Sequence, residues 1–222
     1  MNASVLLIVG LGNPGEAYEG TRHNVGFEVV ERLGEALPGS PVAVSCRGGL
    51  LERIDLPGTG EGARTVLLLR PQLYMNRSGA PAAEVRDRFA IDPSLVLAVF
   101  DDLDLPLGAL RMRRGGGHGG HNGVRDLITH LRPAQEPSLA GEPPVDFPRL
   151  RLGIGRPTEG ESAEDHVHGR FSPEERTSVE GMIGAACRAV VSWIESGLDP
   201  AIEIANATRP EAVDREGASG RS

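Results

Sequence analysis

The sequence predicts a single α/β domain with a twisted, mostly parallel (mixed) sheet and helices on both faces. Short apolar runs rich in β-branched residues, typical of buried strands, alternate along the chain with segments whose apolar residues recur at helical spacing. A length of 222 residues, 39% of them hydrophobic, is enough for one well-buried core. We expect residues 1–207 to form this domain and residues 208–222, which are polar and contain Gly and Ser, to be a disordered tail.

The first half of the chain is predicted to alternate strands and helices, with glycine and proline at the boundaries. A Pro38-Gly39 pair ends the first helix, a Gly-Gly turn separates two strands, and Ser78 lies near the start of the second helix. The predicted elements are a strand at 5–9, a helix from about 21 to 37, strands at 41–46, 50–56 and 65–71, a helix at 78–91 and a strand at 95–100.

The second half is predicted to finish in helices. RLRLGIG alternates apolar and polar residues as a strand does, and a long amphipathic helix opens with Ser172 and Pro173. The segment Pro133 to Pro148 contains five prolines and little to bury, which predicts a surface loop. The predicted elements are a helix at 124–131, a strand at 149–155 and helices at 172–197 and 199–207.

The charge of the chain is unevenly distributed. A net charge of −8 argues against a general nucleic-acid binder, a class that tends to be basic. Residues 108–156, however, hold 8 arginines and 4 acids, between two segments of net charge −5 and −7. Every basic residue is an arginine, which coding bias explains, so only the clustering of the arginines indicates a function.

The N-terminus and the cysteines indicate a cytosolic protein. The apolar run after Met1 lacks a basic flank and ends at Gly10, which is too short for a signal peptide or a membrane span. Cys46 and Cys187 show no metal-ligand spacing, so we expect two buried free thiols in a reducing compartment.

The most distinctive segment is RMRRGGGHGGHNG at 111–123, with three arginines followed by six glycines. It offers almost nothing apolar to bury, so we do not expect it to serve packing. A cluster of glycines is best explained where the main chain turns tightly or lets a ligand approach closely. The arginine, histidine and asparagine side chains suit phosphate and polar substrate. The segment therefore predicts a ligand site, for a phosphorylated ligand.

GLGNPG at 10–15 matches the glycine pattern of dinucleotide-binding sites, which offers an alternative. In such a site the helix begins within the motif, so that its first amides meet the pyrophosphate. Here Pro14-Gly15 and Gly20 interrupt the chain, and the helical pattern starts only near Thr21. The pattern alone is weak evidence for an NAD- or NADP-dependent oxidoreductase.

Two polar residues distant in the chain are predicted to meet at one edge of the sheet. His23 stands at a helix start, as either a general base or a polar cap residue, and Asp101 directly follows the strand LVLAVF. Ligands of open α/β sheets bind beside the carboxyl ends of the strands. A carboxylate there can hold the imidazole in one tautomer and stabilise its charged form. The alternatives for Asp101, Asp102 and Asp104 are a divalent metal site or a solvated turn, and no further ligand set accompanies them.

Three asparagines occupy strand-to-helix junctions of the predicted sheet. Asn76 and Asn122 each have helix N-capping as the alternative role, and Asn13 follows the first strand. Neutral amides can donate to a developing oxyanion and accept from water or substrate N–H groups. We expect these amides to converge on the His23–Asp101 pair.

Six motifs, in this order and spacing, closely resemble those of bacterial-type peptidyl-tRNA hydrolases, over about residues 5 to 205. They are GLGNPG, TRHN, LYMNRSG, DDLDLP, GGGHGGHNG and RLRLGIG. The resemblance implies a monomeric, single-domain α/β enzyme that uses neither metal nor cofactor. The family hydrolyses the ester between a peptide and the terminal ribose of tRNA. The implied partner is peptidyl-tRNA, recognised by its acceptor stem and terminal adenosine, with no membrane involved.

The resemblance also implies roles for single residues. His23 is the base that activates water, Asp101 orients it, and Asn13 helps to fix the water and the carbonyl. The implied substrate-binding residues are Met75, Asn76 and Asn122 along the peptide channel, His121 in support of it, and Tyr18 near the leaving nucleotide. The implied tRNA phosphate contacts are Arg111, Arg113 and Arg151. His118 receives no role.

Some features depart from the family pattern. The proline-rich segment is longer than expected, Phe100 replaces a residue that is often histidine, and the tail is extended. Because the long segment can alter how the tRNA arm is held, Arg149 and Arg151 are weaker candidates for tRNA contact than His23 is for catalysis. The best alternative function is a binding protein on the same scaffold, like the plant organelle splicing factors that resemble these hydrolases. The presence of Asn13, His23 and Asp101 together argues against it.

Overall fold

The structure, a computed structural model, describes residues 4–57, 64–132 and 146–209, and its centre is a seven-stranded sheet. The strand order is β2-β3-β4-β1-β5-β7-β6. The four central strands β4, β1, β5 and β7 run parallel, and both edges are antiparallel. The strands are β1 (Ser4–Gly10), β2 (Val42–Val44), β3 (Gly49–Leu56), β4 (Arg64–Pro71), β5 (Val96–Asp102), β6 (Leu110–Arg113) and β7 (Arg149–Gly153).

The described ranges contain six α-helices, five of which cover the faces of the sheet. The six helices are α1 (Val25–Ala36), α2 (Gly79–Arg88), α3 (Asn122–His130), α4 (Ala163–His168), α5 (Pro173–Ser196) and α6 (Leu198–Ala207). Helices α1, α5 and α6 bury one face of the sheet in a core around Ile8, Val99 and Trp193. Helices α2 and α3 bury the other face, around Val9 and Leu127. The predicted fold class, with helices on both faces of a mixed sheet, is confirmed. No helix in the described ranges is long and apolar enough to cross a membrane.

The predicted elements are found in place, with two omissions. The sequence analysis missed α4, and it missed β6, because residues 111–113 were assigned to a ligand segment with almost nothing apolar to bury. In fact Met112 of β6 is fully buried, and only the arginines on either side of it are exposed. The predicted surface loop, apart from residues 146–148, and the predicted tail, apart from residues 208–209, lie outside the described residues.

Edge strand β6 is held on its free side by a side chain of α6. The Met112 N–H donates to Asn206 Oδ1 at 2.8 Å, and Asn206 Nδ2 donates to the Met112 carbonyl at 3.3 Å. The amide thus replaces one pair of hydrogen bonds that a further strand would make. Helix α6 therefore closes this edge of the sheet beside the glycine-rich segment.

Helix α1 starts in direct contact with the main chain of the sheet. A Cβ on Gly26 would lie 2.4 Å from the Val99 carbonyl oxygen, and one on Gly10 would lie 2.4 Å from the Gly26 carbonyl oxygen. Only glycine allows this approach. The contact brings the turn before α1, which carries His23, to the carboxyl end of β1 and β5.

Candidate active site

A cavity of about 970 Å³ lies beside the carboxyl ends of β1 and β5. Ten of the eleven predicted site residues line it, and Arg111 is the exception. The ten are Asn13, Tyr18, His23, Met75, Asn76, Asp101, Arg113, His121, Asn122 and Arg151. The structure thus brings together residues from six separate stretches of the chain.

Asp101 lies at the centre of a hydrogen-bonded group with two histidines. Its Oδ1 is 2.8 Å from His23 Nδ1 and 3.1 Å from His121 Nε2. His121 Nδ1 accepts from the Val124 N–H at 3.3 Å, so its Nε2 carries the proton and donates to Asp101. His23 donates from Nδ1 in the same way, which leaves its Nε2 for another partner. The arrangement suits a base whose tautomer is fixed by a carboxylate.

The ionisation of Asp101 follows from its surroundings. The side chain is buried, and burial alone would raise its pKa. The charges of His23 and His121 and their hydrogen bonds outweigh burial and hold the pKa of Asp101 well below its usual range. The carboxyl group is therefore an anion near neutral pH, and it stabilises a positive charge on the His23 ring.

The side chain of Asn13 is held with its donor group available. Its Oδ1 accepts from the Met75 N–H at 2.7 Å, so the acceptor end is used within the protein. The main chain of Asn13 is fixed by Asn24, which accepts from the Asn13 N–H at 2.8 Å and donates to its carbonyl at 2.9 Å. Asn13 Nδ2 is left to donate to a substrate oxygen. The sequence analysis missed Asn24, although it lies in TRHN beside His23.

The capping alternatives for the two other asparagines are wrong. The residue that caps α3 is His121, through the Val124 N–H, and Asn122 is the first helical residue. Ser78 precedes α2, and Asn76 belongs to a short 3₁₀ turn before it. Both asparagines are exposed and line the cavity, and Asn122 Oδ1 accepts from Arg125 at 2.9 Å. Neither asparagine caps a helix, so capping does not explain their presence at these positions.

The arginines of β6 and β7 divide into buried and accessible side chains. The strand register places Arg111 opposite Arg151 and Arg113 opposite Arg149, so all four share one face. Arg149 is buried, lies 4.4 Å above the Phe147 ring, and donates to the carbonyls of Gly116 and Gly117.

Arg149 thus anchors the glycine-rich segment, a role that the sequence did not reveal. Burial lowers its pKa, and the positive charge of Arg151 adds to this effect. Arg151 is paired with Asp102 and has a quarter of its side chain exposed, whereas Arg111 and Arg113 are exposed. Arg151 is therefore the more accessible of the two arginines of β7.

The dinucleotide alternative does not fit this geometry. Strand β1 ends at Gly10, and α1 begins only at Val25, after two short 3₁₀ turns. Glycines of the motif serve packing instead, since a Cβ on Gly12 would lie 2.8 Å from the Phe27 ring. No α-helix begins within GLGNPG to present its first amides to a pyrophosphate.

The cluster of His23, Asp101 and His121 is compact enough to invite a metal interpretation. One ligand atom from each residue falls within 4.8 Å of the others. However, Nδ1 of His121 accepts from the Val124 N–H, so the proton of this neutral ring is on Nε2. A protonated Nε2 cannot bind a metal. Hydrogen bonds account for the cluster, and Asp102 and Asp104 are paired with Arg151 and Arg156.

The thiols lie away from this site and are free, as predicted. Cys187 is buried, whereas Cys46 is only partly buried, which corrects the expectation of two buried thiols. Burial raises the pKa of each thiol to about 11. Neither is a reactive nucleophile.

Comparison with known proteins identifies relatives over most of the chain. Residues 7–213 match the family described as peptidyl-tRNA hydrolase. A peptidyl-tRNA hydrolase of Synechococcus sp. (strain JA-3-3Ab) is 42% identical over 212 residues, which cover 95% of this chain and 86% of the relative. The enzyme of Nocardia farcinica is 41% identical over 195 residues, 88% of this chain and 93% of the relative.

A solved structure agrees with the sequence matches. The crystal structure of peptidyl-tRNA hydrolase from Acinetobacter baumannii superposes with a TM-score of 0.77 at 34% identity. The match covers 95% of this chain and the whole of that structure. A further crystal structure, of a peptidyl-tRNA hydrolase in complex with N-propanol, gives the same TM-score at 33% identity.

Proposed function

Because this chain belongs to the peptidyl-tRNA hydrolase family and is therefore a hydrolase of peptidyl-tRNA, we propose that His23 is the general base of the reaction. The observation that supports this role is the hydrogen bond of 2.8 Å from His23 Nδ1 to a buried Asp101 carboxylate. The bond fixes the tautomer in which Nε2 is unprotonated. A water molecule beside Nε2 can then lose a proton to the ring as it attacks the ester carbonyl.

The same groups account for the remaining steps. Asn13 Nδ2 donates to the oxyanion of the tetrahedral intermediate, because its Oδ1 is already occupied by the Met75 N–H. The His23 imidazolium, stabilised by Asp101, returns its proton to the ribose oxygen as the ester C–O bond breaks. The products are a peptide carboxylate and a tRNA with a free terminal hydroxyl. An ester is activated enough for attack by water, so no nucleophilic serine or cysteine is needed.

Different residues of the cavity lining are assigned to the two ends of the substrate. Met75, Asn76 and Asn122 are proposed to line the peptide channel, with His121 in support of it, and Tyr18 is proposed to lie near the leaving nucleotide. Arg111, Arg113 and Arg151 are proposed to contact phosphates of the acceptor stem. Their common face on β6 and β7 continues from the cavity, and a local arginine patch lets an acidic protein bind RNA. We further propose that the enzyme is a cytoplasmic monomer that recycles tRNA.

The decisive experiment compares hydrolysis of N-acetyl-aminoacyl-tRNA and of the unacetylated ester, in the presence of a chelator. We expect selective cleavage of the acetylated substrate.

His23→Ala should abolish turnover and leave tRNA affinity nearly intact, because His23 is not among the proposed phosphate contacts. Unchanged turnover would refute the base assignment, and loss of activity in chelator would support the metal alternative.

The arginine patch has its own test. Arg113→Ala should reduce the slope of log affinity against log salt concentration by about 0.7 to 0.9, if one phosphate contact is lost. The matched control is Arg188→Ala, an exposed arginine of α5 outside the cavity lining, which should leave the slope unchanged. An unchanged slope for Arg113→Ala would remove this residue from the contacts.

A further inference from the structure

Six aromatic rings form a continuous arc along the cavity. Successive ring centroids lie 6.4, 5.7, 6.1, 5.0 and 4.9 Å apart. The rings, in order, belong to Tyr74, Tyr18, His168, His23, His121 and Phe100. Three of the six rings have no role in the proposed function, namely those of Tyr74, Phe100 and His168. Of these three, His168 is the neighbour of His23.

The position of His168 is fixed relative to His23 by main-chain contacts. The Arg22 N–H donates to the Gly169 carbonyl at 2.9 Å, and Thr21 forms a β-bridge with Arg170. The Arg22 guanidinium also donates to the Arg170 carbonyl at 2.9 Å. The two residues before His23 and the two residues after His168 are thus tied together. The distance of 6.1 Å between the ring centroids is a built feature of the fold.

The ring nitrogens of His168 differ from those of the other histidines in their hydrogen bonding. Each of the other five histidines makes at least one hydrogen bond through a ring nitrogen. His168 is exposed, and within the described ranges its ring nitrogens have no hydrogen-bond partner. Its position in the last turn of α4 favours a basic residue, but that role does not require contact with Tyr18 and His23.

We propose that His168 is a substrate-binding residue, whose ring forms with Tyr18 the surface on which the terminal nucleoside of the leaving tRNA stacks. The inference rests on the proposed function, which places the scissile ester beside His23 and the nucleotide beside Tyr18. Every base has a π-face, so an exposed aromatic ring binds single-stranded termini by stacking. The free ring nitrogens are additional partners for the ribose or the base. Since the ring lies between Tyr18 and His23, a stacked base holds its ribose close to the catalytic imidazole.

The test uses the full-length enzyme and two substrates. One is N-acetyl-aminoacyl-tRNA, and the other is the same ester with a terminal nucleoside that retains the ribose but lacks the base. Two variants, His168→Ala and His168→Phe, are compared with wild type by KM, kcat and the pH profile of kcat. The control is His130→Ala, which removes an exposed imidazole outside the cavity lining.

Stacking predicts a specific pattern. His168→Ala should raise KM for the intact substrate about 5- to 100-fold, because base stacking contributes equally to the ground and transition states. The kcat and its pH profile should be retained, and His168→Phe should restore most of the affinity. On the base-free substrate, wild type and His168→Ala should have similar KM values. His130→Ala should match wild type throughout.

Other outcomes overturn the inference. An unchanged KM in His168→Ala excludes contact with the nucleoside, and equal impairment of His168→Ala and His168→Phe excludes stacking. Loss of kcat together with one limb of the pH profile assigns His168 to proton transfer instead. Failure of the base assignment is distinguishable, because it appears as normal turnover in His23→Ala and leaves the comparison of His168 variants intact.

Discussion

Replacement of Asp101 by asparagine separates two roles of this carboxylate, which are to orient His23 and to stabilise its positive charge. Both imidazoles contact one and the same oxygen, Oδ1. An asparagine can keep that oxygen as an acceptor while it removes the negative charge. The substitution therefore leaves the orientation of His23 intact and abolishes the electrostatic support for its charged form.

The orientation of the new amide is determined by His121. If the amide turned its Nδ2 toward the rings, its N–H groups would face the proton on His121 Nε2. That proton cannot move to Nδ1, because Nδ1 accepts from the Val124 N–H. Hence Oδ1 of the asparagine should stay between the two rings, and His23 should keep its tautomer.

The expected loss of rate follows from the hydrogen-bond energies. A hydrogen bond to a charged group contributes about 1.5–3 kcal/mol, and a neutral one about 0.5–1.5 kcal/mol. With one bond to a developing imidazolium weakened from the charged to the neutral kind, the barrier should rise by the difference, about 1–1.5 kcal/mol, which is a fall in kcat of about 5- to 10-fold. A serine protease in which the corresponding substitution leaves the histidine in the wrong tautomer loses about 10⁴-fold.

The measurement is the single-turnover rate of N-acetyl-aminoacyl-tRNA hydrolysis at saturating enzyme. Asp101→Ala, which removes both acceptor and charge, should be slower than Asp101→Asn. A fall of about 10⁴-fold or more in Asp101→Asn would show that the tautomer is not locked by His121. A rate close to wild type would show that Asp101 does not stabilise charge on His23.

Three further predictions concern stability. Folding lowers the pKa of Asp101, so its ionisation stabilises the fold fully above the unfolded pKa of about 3.9 and less as the pH falls toward the folded pKa. In urea denaturation, the difference in stability between wild type and Asp101→Asn should therefore shrink below about pH 4. A constant difference would contradict this. Asn24→Ala should lower the free energy of unfolding by about 2–5 kcal/mol, since it leaves the buried N–H and carbonyl of Asn13 unpaired, and Asn24→Asp, which keeps the acceptor, should lose less. Gly26→Ala should cost about 1–3 kcal/mol or more because its Cβ would meet main-chain atoms of Leu11 and Val99, whereas Gly181→Ala, in open space on α5, should stabilise by up to about 1 kcal/mol; equal effects would refute the packing argument.

Much of the fold was predictable because its strands and helices carry regular patterns. The run at 5–9 and the helix opened by Ser172 are long enough for periodicity and capping residues to identify them. Strand β6 was not predictable, since only Leu110 and Met112 of its four residues are apolar and the remaining two match the basic segment that follows. Helix α4 has six residues, which is too few to show a period.

The site was predictable where chemistry depends on residue type, and not where it depends on contacts. Asp101 and the asparagines stand out as polar groups that follow apolar strands, and His23 stands out at a helix start; the structure brings them to one cavity. Asn24, which holds Asn13, and Arg149, which holds the glycine-rich segment, resemble any other polar residue until their partners are seen. His168 is 145 residues from His23 in the chain, and no sequence signal links the two.

The pairing of Asn206 with Met112 places a structural requirement away from the proposed catalytic groups. An unprotected outer strand offers its peptide groups to any passing chain and so promotes aggregation. Helix α6 contributes nothing to the lining of the cavity, yet it seals the strand from which the exposed arginines project. A protein shortened before residue 206 would retain every proposed catalytic group and still risk edge-to-edge self-association at the surface where RNA is proposed to dock.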